Sequence, residues 1–205
     1  MTSRPIRGLV ALALACAALA PAGAQDPRIG TRLDGPSRAA ITVLLDSARA
    51  QGLPVEPLME KVFEGDAKGA DGPRIVAAVR ALALEMASAH RALGTVASAD
   101  EIKAAASAMH AGVPAVELGK MKKQSGLRRS LTLPFTVLAD IVSRGVPVEA
   151  GLNAIRSLVG AGAKDADLSK FQRNVSVDIE QGAPPAAAAE TRAKVAVPAG
   201  KPEGN

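Results

Sequence analysis

The chain has 205 residues, a formal charge of +5 and a hydrophobic share of 48%, yet its only aromatics are Phe63, Phe135 and Phe171. A core of Ala, Leu, Val and Ile suits helices packed closely through small side chains, and it excludes base stacking, aromatic cages and aromatic interface anchors. Taking Arg4 and Arg7, in a segment expected to be removed, from the 25 basic residues leaves 23 against 20 acidic, not the charge of a nucleic-acid binder.

Residues 1–24 read as a secretory signal peptide. Met1 to Arg7 is basic, Gly8 to Ala20 is continuously apolar, and Pro21-Ala22-Gly23-Ala24 ends in a small-x-small cleavage pattern. The apolar run falls short of the roughly 20 residues that a membrane-spanning helix needs. Export to the periplasm or medium is therefore expected, with no transmembrane span in the mature chain. Ala13-Leu14-Ala15-Cys16 loosely resembles a lipobox, and a lipidated Cys16 is the alternative start. If cleavage follows Ala24, the mature chain has no cysteine and relies on its core alone.

Residues 25–34 form an extended lead-in, and 35–182 an all-helical domain. Gly35-Pro36 opens a helix with Ile41, Leu44, Leu45 and Ala48 at helical spacing, closing at Gln51-Gly52. Pro54 opens a second through Leu58, Met59 and Val62 to about Glu64, followed by a loop over 65–72. Pro73 starts the longest helix, striped by Val76, Val79, Ala83 and Met86 and ending near Gly94. Ser98 and Glu101 form a capping box for a helix carrying Ile102, Ala105, Ala106 and Met109. A short helix runs from Pro114 to about Lys123, and Leu133-Pro134 opens another with Phe135, Leu138, Ala139 and Val142 inward. Val148, Leu152, Ile155 and Val159 mark the next. Asp165 or Asp167 caps the last, with Leu168, Phe171, Val175 and Ile179. Residues 183–205 are Ala, Pro, Gly and scattered charge, and are expected to be a disordered tail.

One phrase organises these elements. Gly145-Val146-Pro147 recurs as Gly52-Leu53-Pro54, Gly112-Val113-Pro114 and, more weakly, Gly182-Ala183-Pro184. Gly takes the left-handed conformation that closes a helix, the next apolar residue folds back, and Pro begins the following helix. The glycines are 60, 33 and 37 residues apart, an imperfect repeat of helical pairs. The spacing is near the ~34 residues of tetratricopeptide units, but their Trp, Tyr and Phe signature is missing, so that family is declined. The fold class is all-α, seven or eight short helices stacked as antiparallel pairs, either an imperfect repeat or a compact bundle.

Chemistry is sparse. His90 and His110 lie on separate helices with no ligand partner at spacing, and no nucleophile elbow or phosphate-cradling loop occurs. Glu56, Glu117 and Glu149 follow the corner prolines, where they complement helix dipoles. Asp165-Ala166-Asp167 begins like a calcium loop but has Lys170 where Gly belongs and Ser176 where the bidentate Glu belongs. Neither metal nor cofactor is expected. Lys120, Lys122, Lys123, Arg128 and Arg129 form a cluster with no acid between Glu117 and Asp140. They are solvated helix-end cations, or else a patch for an anionic envelope partner. The chain is expected to be an exported, non-enzymatic helical scaffold or interaction module of the bacterial cell envelope, working through its concave or basic face. The alternatives are a lipoprotein anchored at Cys16 that binds anionic lipid or an acidic partner, and a hydrolase using a carboxylate beside His90 or His110.

Overall fold

A computed structural model describes residue 29 and residues 33–126 and 129–196 of the chain. Residues 1–24, read as a signal peptide, with Cys16 among them, most of the lead-in and Arg128 lie outside the described residues. Nine helices are found among the described residues, and no strand. They are α1 (Gly35–Ala50), α2 (Glu56–Ala67), α3 (Gly72–Leu93), α4 (Ala99–His110), α5 (Ala115–Ser125), α6 (Thr132–Ser143), α7 (Val148–Gly160), α8 (Asp165–Glu180) and α9 (Pro185–Ala196).

The expected corners close these helices. Leu53, Val113 and Val146 return their N–H groups to Ala48, Ala108 and Ile141, each five residues back, at 2.9–3.1 Å. The glycine before each takes a positive φ, +95° at Gly145, and the apolar residue after it is buried. This is the Schellman arrangement, which satisfies carbonyls that a helix end leaves open. Gly162-Ala163 makes the same corner between α7 and α8 without a proline, Ala163 bonding Leu158 at 2.9 Å. Gly69-Ala70 and Gly182-Ala183 make it as well, Ala70 bonding Gly65 and Ala183 bonding Asp178, so the corner recurs more often than the Pro-marked phrases alone.

Packing follows the expected stripes. Ile41, Leu45, Leu58, Met59, Val62, Val79, Met86, Leu138, Ile155, Leu168, Phe171 and Val175 are all buried. The most extensive contact joins α4 to α6, while α3 packs on α1, α2, α4 and α5, and α6 also meets α7 and α8. Chain neighbours are thus not the main partners everywhere: α5 lies chiefly on α3. Gly119 permits that approach, because a Cβ there would come within 2.7 Å of the Ala92 carbonyl oxygen. Ile29 and Leu33 are buried too, so the lead-in contributes to the core rather than only preceding it.

Three expectations are corrected. α2 continues past Glu64 to Ala67, since Glu64 is held by Lys61 and Lys68 one turn either side and Gly65 sits against Ile75 rather than breaking the helix. α8 is not capped by an aspartate at its first position; Lys164 stands there, and the Asp167 carboxylate accepts its N–H at 2.8 Å. The expected disorder from 183 gives way to α9, which covers α7 and α8. Ala188, Ala189 and Ala193 are buried along one side, and Arg192 donates two bonds of 2.6 Å to Asp178. The segment orders without large side chains because alanine is the best helix former and a row of methyls lets backbones approach closely. Residues 197–205 lie outside the described residues.

Candidate functional site

The basic cluster is divided by the fold. Lys122 sits on the inner face of α5 and is only 9% exposed, its ammonium 2.7 and 2.8 Å from the two carboxylate oxygens of Glu101. Lys120 pairs with Glu117 at 2.8 Å, and Arg129 approaches Asp165 at 3.7 Å. Lys123 is exposed. Lys122 therefore leaves the surface set, because its spacing on α5 turns it toward α4 rather than toward solvent.

Glu101 is the polar centre of the molecule. Its carboxylate accepts from Lys122, from the Ser98 N–H at 3.1 Å and from the Leu131 N–H at 2.9 Å. Burial on its own would raise the pKa; the Lys122 ammonium and the two N–H donors outweigh it and hold the carboxyl below its ordinary range. One side chain thus closes the capping box of α4, pairs with Lys122 of α5 and fixes the chain entering α6. Its capping role was legible as Ser-x-x-Glu. Its partner was not, since Lys122 is 21 residues away.

A groove of about 870 Å³ runs across α2, α3, α4 and α6. Each helix offers it one helical stripe: Pro57, Glu60, Lys61 and Glu64 from α2; Ala78, Ala81, Leu82 and Glu85 from α3; Lys103, Ser107 and His110 from α4; Ala139, Asp140 and Ser143 from α6. These positions flank the core stripes of the same helices, so the floor is alanine and Leu82 while the walls are charged. Two ion pairs cross between helices, Lys103–Glu60 at 2.5 Å and His110–Glu85 at 3.0 Å. The second is ionic only while His110 is protonated. Asp140 is paired with Arg144 at 3.0 Å. Hydrogen bonds from Lys61 and Lys68 bring the Glu64 carboxyl down to about 2.

Glu56, Glu117 and Glu149 occupy the first turns of α2, α5 and α7. Glu117 also binds Arg156 of α7, and its carboxyl is lowered first by Lys120 and then by Arg156. His90 lies in the last turn of α3 and His110 in the last turn of α4. Among the described residues no group of three His, Cys, Asp or Glu side chains is placed to hold a metal ion. No described helix is long and apolar enough to cross a membrane. No protein-family model, no curated protein and no solved structure matches the chain, so geometry and chemistry carry the functional reading.

Proposed function

We propose that the chain is an exported, non-enzymatic helical interaction module of the bacterial cell envelope, and that the groove across α2, α3, α4 and α6 receives a segment of a partner protein. The observation that carries this is the make-up of the groove: four helices supply an alanine and leucine floor beneath walls of both charges. A polypeptide with one apolar face and mixed charges beside it suits such a surface, with apolar burial supplying affinity and the walls supplying register. Catalysis asks for something else. A general acid needs a carboxyl raised toward neutrality, whereas Glu64 is lowered and Glu60 and Asp140 are held by cations. The one feature that favours the hydrolase alternative is Glu85, which lies 3.0 Å from His110 in this groove. Export is read from the pattern of residues 1–24.

Site-specific photo-crosslinking in the native envelope tests the proposal. A photoreactive side chain at Ala81, exposed within the groove, should give a discrete protein adduct. The same group at Val43 of α1, exposed and outside the groove, should not. Equal labelling from both positions, or none from Ala81, overturns the assignment.

A further inference from the structure

We propose that a second, smaller pocket, between the C-terminal ends of α5 and α7, is an oxyanion site that takes a phosphoryl group. The pocket measures about 330 Å³ and is lined by Arg129 and Arg156, with Gln124 and Ser125 beside them and no acidic residue among its lining. That volume is at the low end for small-ligand sites, roughly 300–1,000 Å³. It shares no residue with the groove, so failure at either place leaves the other untouched.

The Arg156 guanidinium and the backbone that carries Arg129 are held in position. Arg156 is tied to Glu117, which is itself shared with Lys120. Arg129 stands two residues before Leu131, whose N–H is anchored on the buried Glu101 carboxylate. The buried Glu101–Lys122 pair thereby sets where the segment bearing Arg129 enters α6. The contact from Arg129 to Asp165, at 3.7 Å, is too long to be a hydrogen bond, so the guanidinium keeps donors for a ligand. Glu117 and Asp165 offset part of the two guanidinium charges without entering the pocket lining. A phosphoryl group adds acceptor oxygens for the donors those carboxylates leave open, the buried Arg156 Nε–H that has no hydrogen-bond partner among them. Exposed Lys123, on the last turn of α5, adds long-range attraction. Helix C-termini also attract arginine without any ligand. The difference lies in whether phosphate binds and whether its binding depends on these two side chains.

The same chemistry comes from two sources, a soluble phosphate monoester or a phospholipid headgroup. The experiment uses glycerol 3-phosphate followed by calorimetry, and vesicles of phosphatidic acid, whose headgroup is likewise a phosphomonoester, in phosphatidylcholine followed by co-sedimentation, both at low ionic strength. Native protein should bind at least one probe, and added salt should weaken the binding. Arg129→Gln and Arg156→Gln should each weaken it by about tenfold or more. Arg129→Lys should restore only part, because an ammonium cannot make the fork. Lys194→Gln on α9 removes one charge elsewhere and should change binding less than about twofold. Binding of glycerol 3-phosphate assigns a soluble ligand and retention on vesicles alone assigns a headgroup; either supports the site if it is lost with the arginines. Because Arg156→Gln also frees Glu117, Arg129→Gln is the deciding variant, with its helicity checked by circular dichroism. No binding of either probe by native protein, or undiminished binding by Arg129→Gln, overturns the proposal.

Discussion

Replacing Lys122 with methionine removes an ammonium while keeping the length of the side chain. Glu101, 3% exposed, is then left with the N–H donors of Ser98 and Leu131 as its remaining partners. Deleting one member of a buried ion pair costs roughly 3–5 kcal/mol, and the two surviving donors place Lys122→Met near the lower end, ~3 kcal/mol. Glu101→Met is worse, ~4–5 kcal/mol, since it strands the ammonium and both N–H groups. The double variant buries no charge and loses only those two bonds, at ~1 kcal/mol each. It should therefore be more stable than either single variant, with a large coupling energy. Urea unfolding followed by far-UV circular dichroism measures all four proteins. The pH dependence has a definite sign. The folded-state carboxyl of Glu101 lies below its unfolded value, so the pair's contribution is complete above about pH 4.3 and is lost as pH falls through the folded value. The gap between native protein and Lys122→Met should accordingly narrow in acid. A Lys122→Met midpoint within ~0.5 kcal/mol of native at neutral pH, or a double variant as unstable as the two singles summed, refutes the reasoning.

Gly145→Val should destabilise by about 1–2 kcal/mol because it places a β-branched residue at φ +95°. Gly160→Ala, where an added methyl meets nothing within 4 Å, should stabilise by up to ~1 kcal/mol in the same denaturation assay. Gly119→Ala drives a methyl against the Ala92 carbonyl, so a loss of roughly 1–3 kcal/mol is expected, and an unchanged midpoint would show that α5 does not lie this close to α3. Arg192→Ala should accelerate amide exchange across residues 185–196 by roughly tenfold while leaving α3 and α4 protected, because α9 is held by small methyls and the contact to Asp178. Uniform acceleration throughout the chain would mean that α9 unfolds only with the rest.

Helix period, capping chemistry and corner glycines are local properties, and the sequence alone determined what they control. The positive φ of Gly145, the Ser98–Glu101 capping box and the inward course of Leu58, Met59 and Val62 all depend on residues within a turn or two of one another. What a helix meets is settled by the other helices. Lys122 reads as one cation in a basic run until α4 places Glu101 beneath it. The alanines of α9 read as part of a disordered tail until α7 and α8 supply a surface to cover. Gly65 reads as a breaker until α3 brings Ile75 against it. The groove and the arginine pocket belong to this second kind. Their residues are spread over four helices in one case, and over the end of α5, a loop and the end of α7 in the other. No local spacing connects them. Only the packing of small side chains at close range, which decides helix partners without leaving a large-residue signature in the chain, brings them to one face.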